Sequence, residues 1–313
     1  MEAAEERVEL ELVCPACWSS LEATAGGGRR CASCGASYPR RAEVEVLLDD
    51  ETWRATVAHA EHERETLRRY HVSRRESPLN ILYYDGWVAR MFRHVPEANR
   101  GPLVEIMCGE AEICRRLPQR FRSALALDLN PTMVEQAARD LEQAGETRVR
   151  AVCASATQIP LADQSAGVVM VQGGLHHVKP LLAQVVAEVG RILRPGGIFV
   201  ASEPANDHWL TRRVRHWQYR RSRHQGTDPG EDGLTQHELD AALSAAGLRL
   251  DRYRRFGFIA FPFMGNTQLF PLLATCRWRA LGRALIALDR VFEHIPLVCD
   301  MALTSLLTAR KER

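Results

Sequence analysis

Residues 103–134 read LVEIMCGEAEICRRLPQRFRSALALDLNPTMV. The stretch holds a short apolar run, a glycine turn, a few helical residues, a second apolar run and a carboxylate. PLVEIM and SALALDL read as two buried strands bounded by turn residues. Gly109 follows the first strand and opens a helix, where free backbone N–H groups collect. Asp128 ends the second strand, 19 residues after Gly109. A carboxylate at that place can accept both hydroxyls of a ribose. Asn130 then caps a helix with Pro131 in its first position, where a missing N–H does no harm. Together these features predict a nucleoside cofactor at the carboxyl edge of a parallel sheet, but not which cofactor.

The same alternation continues outward. RVRAVCAS, AGVVMVQGG, IFVASE, LRLDRYRRF and SLLTARK read as five more strands. Helical patterns separate the earlier ones, as βαβ units require. Met133, Ala137 and Leu141 recur on one face of one helix. Leu182, Val185, Val186, Val189 and Leu193 form the stripe of another, which Arg194-Pro195-Gly196-Gly197 stops. Thr235 and Glu238 form a capping-box signature. The predicted fold is α/β, a Rossmann-like sheet with an N-terminal zinc ribbon and a helical cap. The predicted units are 1–50 (ribbon), 51–100 (helical linker or lid) and 101–313, the last with cap insertions near 205–233 and 258–300.

The ribbon rests on Cys14-Pro15-Ala16-Cys17 and Cys31-Ala32-Ser33-Cys34-Gly35. A two-residue gap lets both thiolates of a pair reach one ion. The thirteen-residue spacer contains Gly26-Gly27-Gly28, a natural hairpin tip that brings the pairs together. Four thiolates favour Zn²⁺ in a closed site with no open position, so the metal is expected to hold structure. Replacing one cysteine is expected to loosen this module and leave cofactor binding largely intact. The remaining cysteines (Cys108, Cys114, Cys153, Cys276, Cys299) are scattered, which fits free thiols in a reducing compartment. The stretch from Leu12 to Glu51 resembles the zinc-ribbon activator subunits of tRNA and release-factor methyltransferases.

Four blocks carry a second resemblance: VEIMCGEAE, ALDLNPTMVEQA, ATQIPLADQSAGVVMVQGGLHHV and VGRILRPGGIFVASEP. They resemble the class I S-adenosylmethionine methyltransferases of the ubiquinone/menaquinone-biosynthesis type. The resemblance implies that Glu105, Met107 and Gly109 border the methionine end of S-adenosylmethionine. It implies Asp128 on the ribose, Leu129 and Met133 flanking the adenine, and Ser155 and Ala156 at the adenine edge. Gln172 and Gly173 would lie beneath the cofactor. The family's loop carries three glycines, and Met107 and Ala111 stand at the outer two.

Methyl transfer is a displacement in which the enzyme mainly positions the acceptor. A hydroxyl acceptor also needs a base. His176 and His177, after the fourth strand, are candidates because imidazole titrates near neutrality. Glu203, ending the fifth strand, is another; each of the three also has a structural reading. Gln172-Gly173-Gly174-Leu175 replaces the Asn-Pro-Pro-Tyr type of tetrad used for amine acceptors. The stretch therefore favours O- or C-methylation over N-methylation.

RRVRHWQYRRSRHQ (212–225) and the apolar stretch from Phe258 to Phe292 are expected to roof the acceptor. The roof favours a small apolar or anionic natural product or lipid-like acceptor. An RNA or protein substrate read by the ribbon is the alternative, and a non-catalytic cofactor-binding protein is a third. The net charge of +2 names no partner. Nucleic acid is a secondary expectation, and contact with a membrane surface a rival reading of the apolar stretch. No apolar run is long enough to span a bilayer. The acidic start MEAAEERVELEL lacks the features of a signal peptide, so a cytoplasmic place is expected.

Overall fold

The computed structural model describes residues 10–41, 44–99, 101–116, 118–222, 232–265, 270–295 and 297–312. The acidic start through residue 9 and Arg223–Gln225 of the basic stretch lie outside them. So do residues 266–269 of the apolar stretch.

The strands are β1 (Leu21–Ala23), β2 (Arg29–Cys31), β3 (Ser37–Tyr38), β4 (Arg40–Arg41), β5 (Val44–Leu47), β6 (Leu103–Ile106), β7 (Ala124–Asp128), β8 (Val149–Ala154), β9 (Ala166–Gln172), β10 (Leu193–Pro204), β11 (Leu248–Phe256) and β12 (Thr304–Lys311). The helices are α1 (Asp50–Glu76), α2 (Pro78–Phe92), α3 (Glu112–Arg116), α4 (Pro131–Gln143), α5 (Leu182–Ile192), α6 (Trp209–Ser222), α7 (Gln236–Ala245), α8 (Pro271–Ala274) and α9 (Arg279–Phe292).

The main sheet runs β11-β12-β10-β9-β6-β7-β8-β5-β4. β6 to β10 and β5 pair in parallel, while β12 lies antiparallel between β10 and β11. All seven strands expected after residue 100 are present. Alternate residues feed two cores, because successive side chains on a strand point to opposite faces. Val104, Leu125, Val169 and Phe199 enter the core under α5 and α7. Leu103, Ala126, Met170 and Val200 enter the core under α2. Strands buried on both faces read as continuous apolar runs, which is why they were legible.

The caps form as their residue types require. The Asn130 side chain accepts from the N–H groups of Thr132 and Met133 at 3.0 and 3.4 Å. The Thr235–Glu238 capping box is complete. The buried face of α4 is Val134, Ala137 and Leu141. Met133, expected on that face, is half-buried at its edge.

β1 and β2 form a hairpin closed at the expected glycines, with Thr24 N donating to Gly28 O at 3.0 Å. The end of this N-terminal region does not stay in a module of its own. β5 adds to the main sheet, with Glu45, Val46 and Leu47 beside Val152, Cys153 and Ala154 of β8. Val13 N donates to Pro160 O at 3.0 Å, and the Arg191 guanidinium stacks 4.0 Å from the Trp18 ring centroid. Val44 to Leu47, expected in the ribbon, are thus a strand of the larger sheet, between β8 and the short β4. The reason is an unpaired β8 edge, whose backbone groups need partners.

Candidate cofactor site and cysteine cluster

The strand order reverses direction between β6 and β9, and ligands in open α/β sheets bind outside the strand ends at such a point. Two loops face each other there: Met107–Ala111 after β6, and Gly173–His176 after β9. Met107, Gly109 and Ala111 all have positive φ, at 50°, 54° and 56°. These are the three places where the resembled family has glycine, and the left-handed backbone gives the reason. Only glycine adopts it without cost, so Met107 and Ala111 each carry about 1–2 kcal/mol of strain. Met107 also reaches across the crevice, since a Cβ added at Gly174 would sit 2.7 Å from its Cβ and Sδ.

Two buried carboxylates build these loops. Glu105 accepts from Ile113 N at 2.9 Å and Cys114 N at 2.8 Å. Burial outweighs these bonds and pushes its carboxyl up to about 7. Glu105 was expected at the methionine end of a cofactor. Its oxygens accept from the N–H groups at the start of α3 and so brace the loop.

Glu203 does the same for the second loop. One oxygen accepts from Gly174 N at 3.0 Å and Leu175 N at 2.9 Å. The other meets His176 N at 3.3 Å and the His176 ring Nδ1 at 2.8 Å. A carboxylate has about four acceptor sites, and four donors fill them here. Glu203, a candidate base in the sequence, thus has its oxygens occupied by these donors. The structure joins it to His176, a pairing that sequence reasoning missed because 27 residues separate them. Both lie at strand ends on one sheet edge, which was the available signal. His176 is buried, whereas His177 is exposed with its ring centroid 4.0 Å from that of His176.

Asp128 ends β7 and links both sides of its turn. One oxygen accepts from Gly109 N and the other from Asn130 N, each at 2.8 Å. Burial raises its pKa, opposed by those N–H groups and by the nearby His177. Leu129 is 41% exposed beside it, an apolar side chain left at the crevice. Ser155, just after β8, pairs its hydroxyl with that of Thr157 at 2.7 Å, while Ala156 is buried.

The four N-terminal cysteines come together as predicted. Cys14 and Cys34 Sγ are 3.7 Å apart, and Cys17 and Cys31 Sγ 3.4 Å. All four sulfurs lie within 4.8 Å of one another. Cys34 N points at Cys31 Sγ at 3.5 Å, a backbone-to-sulfur bond of the kind a metal knuckle uses. Tyr38, a further neighbour, brings its hydroxyl to 3.2 Å from Cys14 Sγ.

Comparison with known proteins shows what the sheet resembles. Residues 104–201 match the methyltransferase domain family. An uncharacterized chloroplastic methyltransferase of Arabidopsis thaliana is 24% identical over 63% of this chain. A dimethylglycine N-methyltransferase of Parasynechococcus marenigrum is 33% identical over 35% of it. The matched regions span only 63% and 39% of those relatives' own lengths.

Among solved structures, a candidate sarcosine dimethylglycine methyltransferase from Galdieria sulphuraria superposes with a TM-score of 0.52. It is 14% identical, and the match covers 74% of this chain and 86% of that one. The [4+2]-cyclase SpnF superposes with a TM-score of 0.51 at 18% identity, covering 73% and 80%. The fold is that of a Rossmann-like class I methyltransferase. A cyclase on the same fold shows that fold alone does not name the reaction.

Proposed function

We propose that this protein transfers a methyl group from S-adenosylmethionine to a small acceptor. The observation that carries the reading is the crevice between the two loops. Cβ atoms added at Gly109 and Gly173 would meet nothing within 4 Å, so both backbones border open space. The Gln172 Nε2 donor beside them is buried without a partner. The Asp128 oxygens accept from Gly109 N and Asn130 N, and a carboxylate has about four acceptor sites, so capacity for hydroxyls is left. This donor and acceptor set fits a nucleoside with two ribose hydroxyls and an amino-acid end. Asp128 would take the hydroxyls, Leu129 and Met133 the adenine faces, and Ser155 and Ala156 its edge. Gln172 and Gly173 would lie below, with Met107 narrowing the crevice.

When bound, the cofactor supplies an electrophilic methyl on a sulfonium. The chain's residues orient the acceptor and manage its proton. A carboxylate cannot donate, so Glu203 holds the His176 ring with its proton on Nδ1. Nε2 is then the ring's basic atom and takes the proton of a hydroxyl acceptor. We read the acceptor as apolar or anionic and natural-product-like, methylated on oxygen or carbon. The Gln-Gly-Gly-Leu turn supports that reading. The basic helix supports it less than the sequence suggests. Arg215 is buried and donates to the carbonyls of Ala205, Leu303 and Asp232. It ties the strand ends together and is not a clamp at a pocket rim.

We also assign Zn²⁺ to Cys14, Cys17, Cys31 and Cys34, in a structural role. Calorimetry with S-adenosylhomocysteine tests the cofactor reading. Binding should be measurable, and Asp128→Ala should weaken it by about 1.5–3 kcal/mol. A chain that binds NAD and not S-adenosylhomocysteine would refute it.

A further inference from the structure

The segment from Leu272 to Leu297 carries a surface that the cofactor site does not use. Leu272, Trp278, Val291 and Leu297 are 89, 76, 57 and 81% exposed. Seven of the twelve exposed large hydrophobic residues among the described residues fall in this segment, so exposed apolar surface is concentrated there. On α9, positions 281, 284, 288 and 291 follow i, i+3, i+7 and i+10 spacing and make one exposed apolar stripe. The inner face is already docked. Gly282 packs against Leu79 and Leu82 of α2, and Asp289 accepts from the N–H groups of Ile259 and Ala260.

The charge around the stripe has one sign. Arg277, Arg279, Arg283 and Arg290 are exposed, and none forms an ion pair among the described residues. The segment's two carboxylates are engaged, Asp289 with backbone and Glu293 with Arg90 at 2.8 Å. On α9 these arginines lie together on one side of the stripe, about 80–160° round the helix axis, and an apolar stripe sharing its exposed surface with free guanidinium groups matches an anionic lipid surface. A second copy of the chain fits less well, because a two-fold contact along the stripe brings like charges together. α9 has 14 residues, too few to cross a bilayer, so it would lie in the surface plane. The segment is rooted at Phe256, on the sheet edge that holds the crevice.

We propose that α9 and its flanking turns dock on an anionic lipid bilayer. The stripe enters the acyl boundary while the arginines meet lipid phosphates. The test is co-sedimentation of the full chain with vesicles of equimolar phosphatidylglycerol and phosphatidylcholine, or of phosphatidylcholine alone. Binding is expected on the anionic vesicles only, and should weaken in about 0.5 M salt. Reversing Arg279, Arg283 and Arg290 to Glu should cut partitioning by roughly 100-fold or more. Leu288→Asp should do likewise at low salt, with the far-UV spectrum unchanged. The wild-type lipid and salt dependence reads independently of any variant. No binding to anionic vesicles overturns the proposal, as does equal binding by the arginine variant. A reversible dimer in sedimentation velocity that Leu288→Asp dissolves assigns the stripe to a second copy and also overturns it.

Discussion

At the residue scale, buried carboxylates organise this site by receiving backbone N–H groups. Glu105 and Glu203 each hold a loop start, and they differ in their consequences. The Glu105 carboxyl, raised to about 7 by burial, binds its proton more tightly in the folded chain than in the unfolded one. Its contribution to stability is therefore full below about pH 4.5 and is lost as pH rises through about 7. Glu105→Gln should remove that component, which is on the order of 3 kcal/mol. Urea unfolding from pH 4.5 to 8 reads it, and an unchanged pH slope would contradict the assignment. His176→Ala should cut turnover by about 10²–10⁴ with S-adenosylhomocysteine affinity unchanged, if the acceptor is a hydroxyl. Glu203→Gln should instead shift the pH profile of turnover and lower stability by about 1–3 kcal/mol, since it leaves buried donors poorly matched. A Glu203 variant with wild-type stability and profile would remove its positioning role.

At the element scale, β5 changes what the cysteine cluster is expected to do. Leu47 lies beside Ala154, one residue before Ser155 at the proposed adenine edge. Val13 bonds Pro160 a few residues later in the same loop. Loss of the metal should therefore disturb this loop as well as the N-terminal turns. Cys14→Ser should weaken S-adenosylhomocysteine binding on the order of tenfold, equal to about 1.4 kcal/mol. This reverses the sequence-based expectation that cofactor binding would survive. Titration calorimetry on the variant checks it, and unchanged affinity would restore the independent module. Arg75 makes a comparable link at the other end of α1, bonding Glu110 of the cofactor loop at 2.8 Å and pairing with Asp140 of α4.

At the scale of the whole molecule, the N-terminal cysteine region and the sheet share one core. Leu10, Leu12, Cys14, Cys31 and Tyr38 cluster with Ile159, Leu161 and the strands of the main sheet. A shared core predicts a single unfolding transition in calorimetry, with about one Zn²⁺ per chain by metal analysis. Chelation should lower the midpoint of that one transition. Two separated transitions, or freshly prepared protein without zinc, would count against it. Among the described residues no helix is long and apolar enough to cross a membrane, so lipid contact at α9 would be superficial.

The sequence by itself determined the local and periodic features. Strands buried on both faces, the Asn130 and Thr235 caps, the glycine hairpin and the paired cysteines depend on near neighbours, and each was readable from spacing. The acid after the second strand was readable for the same reason. Tertiary structure decided whatever depends on residues distant in the chain. The Glu203 oxygens became occupied because three N–H groups and the His176 ring, all far from Glu203 in sequence, fill its lone pairs. Arg215 became a strut because carbonyls from three separate segments reach it. β5 joined the large sheet because the edge of β8 stood unpaired. Hydrogen-bonding capacity is written in residue type, but which partner fills it is settled only when the chain folds.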